Sequence, residues 1–194
     1  MPRHNRKSMP GYFATGAGIY PIIPYRVLNR IDTFAAASNE REIMDFDLEF
    51  ENNEVMDIVM IHILFEWDLA ASMAVDTDLT VLLGVFEDPD KATVTDIDTE
   101  ALFEDDASLL FMEQSGRHYD FVAAGVSTTS PPIVESRQFL FPQPYTVARN
   151  LAIILQGNGS EGDATAVDVR TTIWGRRRRA SDSEFKNIIY RQRF

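Results

Sequence analysis

The sequence predicts an all-β protein: an antiparallel β-sandwich with an extended N-terminal arm and a short C-terminal helix. Three observations support this prediction: short apolar runs with a period of two, frequent turns rich in Pro and Gly, and only one complete helix signal. A jelly roll is favoured over an immunoglobulin-like topology, because Greek-key folds of this length often need eight strands. We expect the arm in residues 1–30, the sandwich in residues 31–180 and the helix in residues 181–194, packed on the sandwich or between subunits.

The arm is expected to be extended because Gly and Pro recur through it. Pro21 and Pro24 keep the chain out of helical conformations. The apolar residues between positions 16 and 30 predict packing against protein. Residues 1–15 either fray or lie along another surface.

The central chain alternates between apolar and polar residues. In residues 44–50 Met, Phe and Leu alternate with Asp and Glu, which predicts a strand with one solvent-exposed face and one buried face. After a turn at residues 51–54, residues 55–68 are apolar on both faces. This second segment predicts an inner strand, covered on both sides or packed against a neighbouring subunit.

Further strands are predicted along the rest of the chain. Residues 79–86 form a third β-rich run, and shorter runs occupy residues 139–141, 146–156 and 166–174. Residues 101–112 fit either a short helix or a loop with one strand.

The C-terminal segment carries the clearest helix signal. Ser181 followed by Glu184 makes a capping box, and Phe185, Ile188 and Ile189 then fall on one helical face.

The formal charge is strongly segregated along the chain. Residues 1–31 contain five Arg or Lys and no acidic residue, and residues 170–194 contain eight Arg or Lys against two acidic residues. Residues 32–169 hold the other 28 acidic residues and carry a net charge of −23. An acidic body with two basic ends indicates assembly or nucleic-acid contact rather than a small-molecule pocket.

The composition argues against catalysis. The chain has no Cys, which excludes disulfides, thiolate nucleophiles and Cys-based metal sites. The three His are not at ligand spacing, and there is no nucleophile elbow, Walker loop or dinucleotide fingerprint. His62 is therefore interpreted as a core or interface residue. We expect no enzymatic activity and no small-molecule substrate.

One acidic segment is a candidate metal site. Asp96, Asp98 and Glu100 alternate with apolar or hydroxyl residues, and hard carboxylate ligands in a loop suit calcium. The segment is interpreted either as a solvated acidic surface or as a structural calcium site. No other cofactor is expected.

Two groups of basic residues are candidates for polyanion or intersubunit contact. They are Arg3, Arg6 and Lys7 in the arm, and Arg176, Arg177, Arg178 and Arg179 near the C-terminus. Four adjacent Arg require a counter-charge, supplied by nucleic-acid phosphate, by lipid headgroups, or by carboxylates of the protein's own body or a neighbour's. Without a base-reading motif, contact with nucleic acid would be independent of sequence.

The organisation resembles the single jelly-roll capsid proteins of icosahedral viruses. The resemblance rests on the basic arm at residues 3–7, the Gly/Pro spacer that reaches Pro24, the alternating segments and the absence of a catalytic constellation. It implies a subunit that assembles with copies of itself, through arm exchange and sandwich contacts, beside other virion proteins. The acidic, Lys-poor body fits a virus of a halophilic or marine microbial host.

The resemblance also implies a location in the virion, after assembly in the host cytoplasm. The sequence shows neither a secretory signal nor an apolar run of about 18 residues. Contact of the basic ends with nucleic acid or membrane remains open.

The alternative function is a non-enzymatic β-sandwich module that binds carbohydrate or protein. Its binding loops would be residues 127–132 and 157–162, and it would stay small in solution. A minor virion component that forms a small ring is a third option.

Overall fold

The computed structural model describes residues 21–32, 38–68, 77–90, 108–119, 133–159 and 166–191. Within these ranges eight strands are followed by one α-helix, α1 (Asp182–Arg191). The strands are β1 (Ile23–Ile31), β2 (Ser38–Met44), β3 (Glu54–Asp68), β4 (Thr77–Phe86), β5 (Leu109–Tyr119), β6 (Ile133–Val147), β7 (Leu151–Gly159) and β8 (Ala166–Arg179). A short 3-10 turn, Phe50–Asn52, precedes β3.

The strands form two four-stranded antiparallel sheets. The first sheet has the order β1-β8-β3-β6, and the second has the order β2-β7-β4-β5. β1 therefore pairs with β8, β2 with β7, β3 with β6 and β4 with β5. This nesting is that of one long hairpin rolled into two layers, which is the jelly roll. The predicted fold class is confirmed.

Strand β3 shows how the sequence pattern forms the core. Its residues Ile61, Ile63, Phe65 and Trp67 are buried between the sheets, as their alternation predicts. The intervening side chains of this strand face outward. The Nε1 atom of Trp67 donates a hydrogen bond of 3.1 Å to Ser115 of β5, which satisfies the polar atom of a fully buried ring. The two sheets thus share one apolar core.

The strand predicted for residues 44–50 is wrong. Strand β2 ends at Met44, and the backbone turns at Asp47, whose φ of 52° lies in the left-handed region. The Asp45 carboxylate accepts a 2.8 Å hydrogen bond from the Asp47 backbone N–H, a local bond that competes with strand pairing. Phe46 is nevertheless fully buried. The alternation therefore predicted the burial of Met44 and Phe46 but not the backbone conformation, and at the end of the segment Phe50 is 55% exposed.

The prolines lie where the sheets can accept them. Strand β1 contains Pro24, and β6 contains Pro142 and Pro144, and both strands are edges of the first sheet. An edge strand tolerates Pro because its outward backbone groups have no ladder partner to lose. Residues 23–30, which the sequence assigned to the arm, are extended as expected but belong to the sheet.

The structure also tests the predictions for residues 101–112, for the turn at residues 51–54 and for the C-terminal helix. From residue 109 the chain forms β5, so the described part of residues 101–112 is strand rather than helix. The turn at residues 51–54 is confirmed, with Asn53 left-handed at a φ of 53°. Helix α1 begins as predicted, with the Glu184 N–H donating to Ser181 Oγ at 3.3 Å. Phe185 and Ile188 bury its apolar face against Val55 and Ala148.

Candidate functional site

The four consecutive arginines are divided between the two faces of one strand. Arg176, Arg177, Arg178 and Arg179 end β8, where successive side chains point to opposite sides. Arg176 and Arg178 lie on the side that α1 covers, and Arg177 lies on the other side. The strand thereby separates four positive charges that the sequence places next to one another.

Asp57 supplies the counter-charge for the first pair. Its side chain is only 3% exposed, and one oxygen accepts from Arg176 Nε at 3.2 Å and from Arg178 Nε at 2.9 Å. The other oxygen accepts from Thr146 Oγ1 at 2.8 Å. Burial opposes ionisation of this carboxyl, but the hydrogen bonds from Arg178, Thr146 and Arg176 together hold its pKa below the ordinary value.

Arg178 also ties helix α1 to the sheet. It donates two hydrogen bonds to Glu184, the longer at 3.2 Å. This pairing with Arg178 is the main reason that the pKa of Glu184 is lowered and that the pKa of Arg178 is raised. On the opposite side, Arg177 donates to Glu54 and lies 3.8 Å from an Asp47 oxygen. Three of the four arginines therefore have carboxylate partners within the chain.

The far end of α1 is fixed in a similar way. Arg191 lies over the Tyr145 ring, with its guanidinium carbon 4.5 Å from the ring centroid, and donates to the Thr146 carbonyl. Tyr145 donates to Glu87, whose carboxylate lies 3.8 Å from Arg191. The helix is thus held on its own sandwich by charged groups at both ends.

The outer face of the first sheet carries a cleft with a cationic rim. One row across the sheet places Arg26, Thr172 and His62 on neighbouring strands, and the next row places Leu28, Arg170 and Leu64 there. These side chains line a cavity of about 370 Å³. His62 contacts Ser136 Oγ at 2.8 Å and is half-buried, so it is a surface residue of the sheet rather than a core residue.

The outer edge of the first sheet is apolar. On β6, Leu140 is 69% exposed, Val134 is 55% exposed and Phe139 is 40% exposed. Phe139 contacts Phe111 and Phe141, with ring centroids 5.3 Å and 4.8 Å away. We call the three exposed residues Val134, Phe139 and Leu140 the apolar β6 edge.

The other predicted site residues lie outside the described ranges. These are Arg3, Arg6 and Lys7 of the arm, and Asp96, Asp98 and Glu100 of the calcium segment. The loop at residues 127–132 also lies outside them. Within the described ranges no three His, Asp or Glu side chains cluster closely enough to hold a metal ion. The same ranges contain no helix with the length and hydrophobicity needed to cross a membrane.

Sequence reasoning missed Asp57, Arg26 and Arg170. Asp57 interrupts the apolar run from Val55 to Ile61 in β3, opposite the arginine run, and an acid within such a run is a usable signal for a buried ion pair. Arg26 and Arg170 are isolated in the sequence. Only the pairing of β1 with β8 brings them to one cleft.

Comparisons with known proteins identify no family for this chain. No family model matches the chain, and no curated protein matches it. One similar solved chain comes from "Structure of Turnip Yellow Mosaic Virus at 100 K"; it shows 10% identity and a TM-score of 0.33, and the match covers 86% of this chain and 99% of that chain. The fold assignment therefore rests on the strand order, and this chain is a jelly-roll β-sandwich.

Proposed function

We propose that this chain is a structural virion protein, a capsid subunit that assembles with copies of itself into an icosahedral shell. The jelly roll is compatible with this role but is also the fold of lectins and cupins, so the fold alone does not decide the function. The observation that carries the proposal is the apolar β6 edge, which a lone subunit leaves exposed to water.

Two features of β6 favour a second copy as its partner. The strand is 15 residues long and forms an outer edge, which a lone protein normally covers or charges to prevent association. Pro142 and Pro144 lack backbone N–H groups, so they hinder the addition of another strand at that end. Contact through side chains therefore fits better than open-ended strand pairing, as a closed assembly requires.

The charge distribution would make such assembly depend on salt. Residues 32–169 carry −23, so two acidic bodies repel each other until ions screen them over a distance of about 8 Å at physiological salt. Calcium at Asp96, Asp98 and Glu100 and exchange of the arm between subunits would add further links. Contact of Arg3, Arg6, Lys7 and Arg179 with nucleic acid or membrane also remains part of the proposal, as does a location in the virion.

The second candidate is a non-enzymatic module that binds carbohydrate or protein. The cleft on the outer face of the first sheet favours it, because its volume is within the range of small-ligand sites. Such a module has no need to form large particles, so its oligomeric state distinguishes it from the capsid subunit.

Replacing Leu140 with Asp tests the role of the apolar β6 edge. We expect the protein concentration needed for assembly to rise at least tenfold, because burying one Leu contributes about 1.5–3 kcal/mol at each contact. Gln138→Asp is the matched control, since Gln138 is exposed on the same face of β6 and gains the same charge. Light scattering of both variants at fixed salt is the measurement. Equal assembly of the two variants would contradict this use of β6.

A further inference from the structure

We propose that the cleft on the outer face of the first sheet binds single-stranded nucleic acid without regard to sequence. This surface is separate from the arm and from the arginine run, where polyanion contact was expected from the sequence. Binding there is independent of shell formation, because it concerns the single subunit.

Two arginine side chains give the cleft a positive charge. Arg26 and Arg170 both line it, and neither has an ion-pair partner among the described residues. Most of the other described arginines do have acidic partners, as expected in a protein of net charge −12. Among the described residues, those that line the cleft include no acidic side chain. Two guanidinium groups without counter-charge on one surface favour a phosphodiester backbone as the ligand.

The neighbouring row of the same face carries acidic side chains, and an ion pair within the row engages one of them. That row contains Arg30, Asp168 and Glu66. Arg30 engages Asp168 with two hydrogen bonds of 3.1 Å, which occupies the carboxylate nearest in sequence to Arg170. Glu66 is the other carboxylate of that row, and no ion pair joins it to Arg26 or Arg170 among the described residues.

Apolar and aromatic side chains lie beside the two arginines. Leu28 and Leu64 supply apolar contacts, and the imidazole of His62 stands in the same row as Arg26 and Thr172. Trp174 lies two residues beyond Thr172 on the same face of β8 and is half-buried. Flat rings beside arginines on an open sheet are the elements that hold unpaired bases and their phosphates. A single strand fits them better than a duplex, whose bases are stacked inside.

The test measures binding of the full chain to a labelled 15-nucleotide oligothymidylate by fluorescence anisotropy. The protein is kept at a low concentration, at which it is unassembled. The double variant Arg26→Gln with Arg170→Gln should weaken binding by about a hundredfold, because each of the two lost charge-assisted hydrogen bonds contributes a factor of about ten. It should also reduce the slope of log affinity against log salt by about 1.4, which corresponds to two phosphate contacts on a single strand.

Arg149→Gln with Lys186→Gln is the matched control. Both residues lack an ion-pair partner in the described part of the chain and lie outside the cleft, so the net charge changes equally. Tryptophan fluorescence gives a second readout: Trp67 is fully buried, so quenching by the oligonucleotide should come from Trp174 and disappear in Trp174→Phe.

Four results would overturn the inference: no binding by the wild-type chain, equal losses in the two double variants, preference for duplex over single strand, or equal competition by polyglutamate. The last would identify an acidic protein segment as the occupant. Thermal unfolding of all variants checks that they are folded, and their unchanged assembly would separate this surface from the apolar β6 edge.

Discussion

Replacing Asp57 with Ala should lower the free energy of unfolding by about 3 kcal/mol. Breaking a buried ion pair from one side typically costs about 3–5 kcal/mol, because the remaining charge loses its partner. Arg176 and Arg178 would both be affected, but their side chains are 38% and 27% exposed, so water compensates in part. This places the expected cost at the lower end of the range. Chemical denaturation at neutral pH measures it.

The same carboxylate makes stability depend on pH. The pKa of Asp57 is lower in the folded protein than in the unfolded chain, where an Asp titrates near about 3.9. Its contribution is therefore fully present above that value and is lost as the pH falls through the folded pKa. The wild-type protein should lose stability below about pH 4, and Asp57→Asn should be less stable at neutral pH with a shallower acid decline.

Asp168→Ala is the control for Asp57. Asp168 lies on the same face of the first sheet and pairs with Arg30, but both side chains are substantially exposed. An exposed pair contributes about 0–1 kcal/mol, so its loss should change stability little. If both substitutions have the same small effect, the buried ion pair does not hold the end of the sandwich.

Gly175→Val should destabilise the protein by about 3 kcal/mol or more. A Cβ atom at position 175 would lie 2.8 Å from the carbonyl oxygen of Asp57 and 2.7 Å from Sδ of Met56. The Met56 side chain can move, but the carbonyl belongs to β3, which is hydrogen-bonded on both sides by β8 and β6. Overpacking costs about 1–3 kcal/mol or more, which exceeds the gain of up to about 1 kcal/mol from strand propensity.

Gly116→Ala provides the control for Gly175. The nearest atoms to a Cβ there are 3.5 Å and 3.6 Å away, which is ordinary van der Waals contact. Its stability should be unchanged, or higher by up to about 1 kcal/mol, because Ala restricts the unfolded chain. Thermal or chemical denaturation of both variants is the measurement. A stable Gly175→Val variant would show that the close approach of β3 and β8 at this point is not required.

The fold was predictable where burial and backbone shape agree. In β3, Ile61, Ile63 and Phe65 occupy every second position and are buried on one face, as a strand in a sandwich requires, and the other face, which the sequence also makes largely apolar, is half-buried. In residues 44–50 the two diverge, because the Asp45 side chain bonds to the backbone of Asp47 and turns the chain. At Pro142 the prediction was too short instead of too long. The predicted strand at residues 139–141 stops before this proline, but the edge strand β6 continues through it to Val147.

The candidate sites were less predictable, because they depend on strand pairing. The arginine run was visible in the sequence, but its separation by strand alternation and its pairing with Asp57 required the register of β8 against β3. The cleft between Arg26 and Arg170 joins residues 144 positions apart. No local pattern marks such a pair, since each is a single polar residue on an exposed strand face.

The most direct test of the proposed capsid role is light scattering with negative-stain microscopy across a series of salt and calcium concentrations. We expect separate subunits at low salt and closed particles of uniform size once salt screens the acidic bodies. A monodisperse monomer or dimer under every condition would contradict the capsid role and favour the binding module.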